Sequence, residues 1–269
     1  MSVVFLGGGN MANALVGGLL AKGIDPRAIT VIEIAPAARD KIGAYGVRVG
    51  TAPDATSAKA KTWVLAVKPQ DARAALAAAA TSVHGKLVIS IAAGVRLASL
   101  SRWLGGHRQL VRCMPNTPAL TGAGITGVYA LPEVNAEARQ RAQSILSAVG
   151  EVVWVKEERL LDIVTAVSGS GPAYVFWLIE QLASFAEAEG IGREDALRLA
   201  KHCVLGSAKL AVASDEAPAQ LRKNVTSKGG TTEAALRIFE QENLAERFAK
   251  ALAAAARRGA ELGDELGKD

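Results

Sequence analysis

Residues 3–15 read Val-Val-Phe-Leu-Gly-Gly-Gly-Asn-Met-Ala-Asn-Ala-Leu, and this stretch decides the fold. Its first residues form a short apolar run that stops at glycine, as a buried strand does. From Asn10 to Lys22 the residues are mostly small or apolar and include no proline, which predicts a helix. Between strand and helix lies G-x-G-x-x-A, at Gly7, Gly9 and Ala12. In this turn the first glycine permits the tight bend and the second lets backbone approach a pyrophosphate. The third small residue keeps helix and strand close. The amides of Asn10 and Met11 open a helix whose N-terminus favours anions. Alone the pattern is weak, and a strand–helix turn that binds nothing can share it. Its place after a strand, before a helix and at the head of a βα series gives it weight.

Further strands are expected at Ala28–Ile34, Val47–Val49, Trp63–Val67, Leu87–Ile91 and Gln109–Arg112. Helices are expected between them at Ala37–Gly43, Asp71–Ala80 and Leu97–Leu104. That alternation implies crossover units and a parallel sheet. A hairpin-like stretch at Ile125–Tyr129, a helix at Glu133–Val149 and a strand at Val152–Val155 close this half. Strand signals stop near residue 157. Helices then follow at Pro172–Glu189, Arg193–Ala213, Thr232–Gln241 and Leu244–Leu266. The expected architecture is α/β, with a Rossmann-like doubly wound sheet over 1–160 and an all-α domain over 161–269. Pro172–Glu189 is apolar around most of its circumference in its first half. It therefore needs burial on several sides, by its own domain or by a partner subunit, and a homo-oligomer is expected.

Composition narrows the function classes. Of 269 residues, 50% are hydrophobic and 21% charged, which is globular composition. The formal charge of +5 is spread without basic runs, and only 4% of residues are aromatic. Neither a nucleic-acid footprint nor a stacking platform is present. The first residues, MSVVFLGGGN, do not read as a signal peptide and no long apolar span occurs, so neither a signal peptide nor a membrane segment is expected. The two cysteines, Cys113 and Cys203, suggest no disulfide framework, and the expected setting is cytoplasmic. No His/Cys/carboxylate set has metal-ligand spacing, so no metal is expected.

The sequence assigns the cofactor, NADPH or NADH, to strand ends. The candidate residues are Leu6, Gly7, Gly8, Gly9, Asn10 and Met11 at the turn. Glu33 and Ala35 follow the second strand, and Ala66, Val67, Lys68 and Pro69 end a third. Ala92, Ala93 and Gly94 end a fourth. Ligands of open α/β sheets sit at such carboxyl ends. Glu33 is the acidic residue expected about 20 positions past the turn, where it accepts from a ribose 2′-OH and repels a 2′-phosphate. Arg39 and Lys41 could instead neutralise a phosphate, and Glu33 could point into solvent. These alternatives stay open in the sequence. Lys68 has the alternative of a solvated loop lysine. The loop Arg112–Pro118, with Asn116 and two prolines, suits a wall near the nicotinamide.

Several segments together resemble pyrroline-5-carboxylate reductases. They are FLGGGNMA near the N-terminus, AVKPQ at 66–70, MPNTPA at 114–119, SGSGPAYVF at 168–176 and LRKNVTSKGGTTEAALRIFE at 221–240. The resemblance covers nearly the whole chain. It implies reduction of a cyclic imine to proline by NAD(P)H, on a Rossmann-like domain followed by a helical dimerisation domain. It also implies assembly as dimers or decamers of dimers. In this family the stretch matching Val225–Thr232 binds the substrate. The resemblance thus gives Ser227 and the amides of Gly230, Thr231 and Thr232 to the carboxylate, and the Thr232 hydroxyl to the imine nitrogen. The residue types suit this, because Gly229-Gly230 can turn consecutive amides inward as an anion nest before a helix. An ordinary helix entry can look the same. Lys228 departs from relatives that carry proline there.

The sequence offers no convincing catalytic acid. His84, His107 and His202 lie outside these segments, and Cys113 reads as a buried inert thiol. Ser168–Pro172 reads as a turn capping the following helix. Two other readings fit the layout: a dehydrogenase of another small acid, and a non-catalytic dinucleotide sensor.

Overall fold

The structure is a computed structural model that describes residues 2–268. The strands are β1 (Val3–Leu6), β2 (Ile29–Ile32), β3 (Arg48–Gly50), β4 (Thr62–Leu65), β5 (Leu87–Ser90), β6 (Leu110–Met114), β7 (Gly124–Ala130) and β8 (Gly150–Trp154). They form one sheet in the order β3-β2-β1-β4-β5-β6-β7-β8. β3 through β6 run parallel, while β7 pairs antiparallel with β6 and parallel with β8. The hairpin-like stretch of the sequence is thus the β6–β7 pairing, and it reverses the direction of the last two strands.

β1, β2, β4 and β5 are buried at every residue, because helices cover both faces of the sheet. Alternate residues feed two cores. Val3, Phe5, Val31, Val64 and Ile89 point to one face. Val4, Leu6, Ile32, Trp63, Leu65 and Val88 point to the other. The helices are α1 (Asn10–Ala21), α2 (Pro36–Gly43), α3 (Ala72–Val83), α4 (Leu97–Trp103), α5 (Ala136–Leu146) and α6 (Leu160–Val164). They continue with α7 (Gly171–Ala188), α8 (Arg193–Ala213), α9 (Pro218–Asn224), α10 (Thr231–Gln241) and α11 (Leu244–Leu266).

Two helical segments escape the sequence reading. α9 is short, with proline in its first turn and no apolar periodicity. The stretch Leu160–Gly169 is helical, α6 running into a π-helical turn at Thr165–Gly169. The hydroxyls of Thr165 and Ser168 donate to the carbonyls of Leu161 and Val164, four residues back, at 2.7 and 3.0 Å, a bonding that tends to bend a helix and here accompanies the π turn. Pro172 does sit in the first turn of α7, but the Ser170 side chain makes no cap bond.

The chain divides into two compact units. One comprises residues up to Gly169 together with the segment from Ala255 onward, and the other is Ser170–Ala254. A single cut at 160 therefore does not describe the division. Inside the first unit, Arg96 pairs with Asp264 at 3.1 Å and donates to the Ala260 carbonyl at 3.1 Å, which ties the end of α11 to the start of α4. In the second unit, Ala183 is the buried residue of α7, while Phe176, Trp177 and Phe185 are 59%, 58% and 70% exposed. The second unit alone does not bury the apolar surface of α7. Among the described residues no helix is long and apolar enough to cross a membrane.

Candidate functional site

The carboxyl ends of the parallel strands stand in register: Leu6 beside Ile32 and Leu65, Leu65 beside Ser90, and Ser90 beside Arg112. The residues that follow them, Gly7, Glu33, Ala66 and Ile91, therefore lie along one edge of the sheet. The strand order reverses at β1, which has β2 on one side and β4 on the other. The crevice at such a switch point is where doubly wound sheets take ligands.

Gly7 has φ +101°, a conformation that L side chains rarely adopt. A Cβ there would lie 2.6 Å from the Ala66 carbonyl oxygen and 2.9 Å from Val67 Cγ1. Its N–H donates to the Ile32 carbonyl at 2.8 Å. The turn is thus locked between β2 and β4, and the chain itself accounts for Gly7. Gly9 differs: it has an ordinary φ of −68°, and a Cβ on it would meet nothing within 4 Å. No side chain caps α1. The bare backbone at Gly9 and the uncapped helix face open space, which is the space a pyrophosphate needs. Ala12 is fully buried, in keeping with close helix–strand packing.

Asn13, which the sequence does not single out, braces the glycine turn. Its buried side chain donates to the carbonyls of Gly8 and Gly9 at 2.7 and 3.0 Å, clamping the turn. A polar residue on the inner face of an otherwise small and apolar helix was the available signal.

Glu33 does not point away into solvent. Its carboxylate accepts from the Gly8 N–H and from the Ala35 N–H, each at 2.7 Å. Arg39 donates through Nη1 to the carbonyls of Glu33 and Ile34, at 3.1 and 3.2 Å. On the next strand ends, Ala66, Val67 and Pro69 are half-buried and Lys68 is exposed. Ala92 is buried, Ala93 exposed and Gly94 half-buried. A Cβ on Gly94 would come within 3.0 Å of Leu266 Cδ1, so the end of α11 packs on this loop.

The stretch expected as a loop over Arg112–Pro118 is narrower: β6 runs on through Met114 and a 3-10 turn begins at Thr117, because Arg112 to Met114 pair with β7. Asn116 Oδ1 accepts from the Ile125 N–H at 2.9 Å, and its Nδ2 donates to the Ser168 carbonyl at 3.2 Å. A Cβ on Gly169 would lie 2.5 Å from Met114 Cε, so the π turn is seated against this loop. Cys113 is buried, and burial pushes its thiol well above the usual range, with Arg112 opposing weakly. It is not poised as a nucleophile. Arg112 is buried and paired with Glu158 at 3.0 Å and Asp162 at 3.4 Å, while Glu158 also accepts from the Leu97 N–H at 2.8 Å.

The second candidate set lies in the other unit. Gly229 has φ +75° and donates its N–H to Glu233 Oε2 at 2.6 Å. Gly230 has an ordinary φ of −86°, and the closeness of Ser227 constrains it: a Cβ would lie 2.5 Å from Ser227 Oγ. The Gly230 N–H donates to the Ser227 carbonyl at 3.0 Å. Two of the turn's amides are therefore already engaged. Those of Thr231 and Thr232 open α10, and the cap residue Gly230 has no side chain to bond them. Val225, Ser227 and Thr231 are exposed and Thr232 is half-buried.

The histidines stand apart from both sets. His107 Nε2 bonds the Lys86 carbonyl at 2.8 Å, and His84 and His202 are exposed. Among the described residues no group of three or more His, Cys, Asp or Glu could hold a metal ion.

A switch-point glycine turn on a doubly wound sheet, followed by helices, is the layout of a dinucleotide-binding protein of Rossmann type. A family model described as pyrroline-5-carboxylate reductase dimerisation matches residues 158–262, and one described as NADP oxidoreductase, coenzyme F420-dependent, matches residues 2–94. A pyrroline-5-carboxylate reductase of Pseudomonas aeruginosa is 43% identical over 268 residues, 99% of this chain and 98% of the relative. The solved structure of a pyrroline-5-carboxylate reductase from Coxiella burnetii aligns with a TM-score of 0.92 at 40% identity, covering 97% of this chain and 98% of that one. The Plasmodium falciparum pyrroline carboxylate reductase, solved with NADP bound, aligns with a TM-score of 0.85 at 28% identity over 98% of each chain. The chain belongs to the pyrroline-5-carboxylate reductase family.

Proposed function

We propose that this chain reduces 1-pyrroline-5-carboxylate to L-proline, the last step of proline biosynthesis. When bound, NADPH or NADH would supply the hydride that the imine carbon takes up, the ring nitrogen already carrying its proton. Leu6–Met11 hold the pyrophosphate against the turn and the uncapped start of α1. Glu33 and Ala35 face the adenosine ribose. Ala66, Ala92, Ala93 and Gly94, with small side chains or none, leave room for the rest of the dinucleotide, which Val67, Lys68 and Pro69 border. The open space at Gly9 supports this cofactor assignment, since nothing within the chain explains its missing Cβ.

Val225–Thr232 take the substrate. The observation that carries the reading is the uncapped N-terminus of α10 behind the left-handed Gly229. Its amides and dipole suit a carboxylate. Ser227 adds its hydroxyl, and Thr231 and Thr232 add their N–H groups. The Thr232 hydroxyl orients the ring nitrogen and donates to the developing amine. It is too weak an acid to be the proton source near neutral pH, so the substrate binds already protonated. Much of the rate then comes from positioning.

The exposed apolar face of α7 supports a homo-oligomer, as a dimer or a decamer of dimers. The two unpaired cysteines support a cytoplasmic setting. The test follows nicotinamide absorbance with pyrroline-5-carboxylate and, separately, with open-chain 2-oxo acids. Oxidation only with the cyclic imine is expected, and Thr232→Ala should lower kcat by about tenfold to a hundredfold while leaving dinucleotide affinity and the fold unchanged; an unchanged kcat would rule out its role. Turnover of the open-chain acids alone would favour the dehydrogenase reading. Dinucleotide binding without turnover of any substrate would favour the sensor.

A further inference from the structure

We propose that Glu33, locked by backbone bonds, makes this chain prefer NADH to NADPH. The inference rests on the dinucleotide assignment above and goes beyond it by choosing between the two cofactors.

Glu33 follows the last residue of β2, next to the turn that takes the pyrophosphate. In this fold an acid there accepts from the 2′-OH of the adenosine ribose. Each of its carboxylate oxygens is held by a different backbone amide, Oε2 by Gly8 and Oε1 by Ala35, both at 2.7 Å. Swinging the side chain aside would break both bonds at once and leave the Gly8 amide, in a buried turn, without its acceptor. The carboxylate is therefore a fixed acceptor with no proton to donate. It suits a ribose hydroxyl and repels a 2′-phosphate.

The same bonds remove the groups a phosphate would use. The amides of Gly8 and Ala35, near the turn and at the start of α2, are occupied by Glu33. Arg39, in α2, has Nη1 anchored on the carbonyls of Glu33 and Ile34, which leaves only its other guanidinium nitrogens for a phosphate. Lys41 lies two residues further along α2, about 200° around the helix from Arg39. The alternative left open by the sequence, neutralisation of a phosphate by Arg39 and Lys41, thus meets a carboxylate that cannot readily retreat.

The test is isothermal titration of the full-length protein with NADH and with NADPH, without substrate, for wild type and Glu33→Gln. Wild type should bind NADH about tenfold or more tighter than NADPH, the scale of one like-charge contact near a protein surface. Glu33→Gln removes the charge and keeps one acceptor oxygen, and should bring the ratio of the two affinities close to unity. Wild type binding NADPH as tightly as NADH, or tighter, would overturn the proposal whatever the variant does. A Glu33→Gln protein that melts like wild type and keeps the wild-type ratio would overturn it too. Failure of both dinucleotides to bind would instead sink the cofactor assignment on which the inference stands.

Discussion

Replacing Gly9 with alanine should separate what the fold requires from what the cofactor requires. The structure gives the two glycines of the turn opposite demands. At Gly7 a Cβ would collide with the Ala66 carbonyl at 2.6 Å, and φ is +101°. Gly7→Ala should therefore destabilise the fold by about 2–4 kcal/mol, from backbone strain and displacement of β4. At Gly9 a Cβ would touch nothing, and φ is −68°. Gly9→Ala costs no contact and restricts the unfolded chain, so stability should hold or rise by about 0.4–1 kcal/mol. The same methyl would stand where the pyrophosphate approaches the backbone. Relieving that overlap by even one lost charge-assisted hydrogen bond costs about 1.5–3 kcal/mol, a drop of about tenfold or more in NAD(P)H affinity. Urea unfolding followed by tryptophan fluorescence gives the stabilities, and isothermal titration gives the affinities. A Gly9→Ala protein that binds dinucleotide as wild type does would refute the assigned role of the turn. A Gly9→Ala protein as unstable as Gly7→Ala would refute the geometric argument.

Two further predictions concern the first unit. Arg112→Met should cost about 3–5 kcal/mol in urea unfolding, because it leaves Glu158 and Asp162 without their buried cation; a loss below about 1 kcal/mol would contradict that role. Burial lowers the pKa of His107, and nearby His84 adds to this, while the bond to the Lys86 carbonyl opposes it. The unfolded chain then binds more protons than the native one just below the ordinary histidine value of about 6.5. The contribution of His107 is accordingly whole above that pH and lost as pH falls through its lower native value. Urea midpoints measured across this window should fall less steeply in His107→Gln than in wild type; equal slopes would show that His107 does not carry the effect.

Much of this was legible because local and global signals agree. The βα series follows from apolar runs punctuated by glycine and proline, and the glycine turn stands where its spacing puts it. Arg193–Ala213 and Leu244–Leu266 match the sequence expectation at both ends. What escaped depends on contacts between residues distant in sequence or on hidden backbone bonding. Leu160–Gly169 looks like a boundary because Ser and Gly favour turns, yet it is helical, with the Thr165 and Ser168 hydroxyls bonded to carbonyls four residues back. The direction of β7 is invisible to a pattern that records alternation but not orientation. Glu33 could be found by its distance from the turn, whereas its grip on Gly8 and Ala35 could not. Asn13 gave only the faint signal of a polar residue on a buried face. At the second glycine turn, composition suggested a nest of consecutive amides. The structure engages the first two internally and leaves the start of α10.

In the proposed reaction, hydride passes from a nicotinamide to the carbon of a cyclic imine. It is tested most directly by supplying dinucleotide deuterated at the transferring position of C4, together with pyrroline-5-carboxylate, and examining the product by mass spectrometry. Proline should carry a single deuterium on the ring carbon next to nitrogen and remote from the carboxylate. Proline formed without that label, or no proline with either dinucleotide, would contradict it.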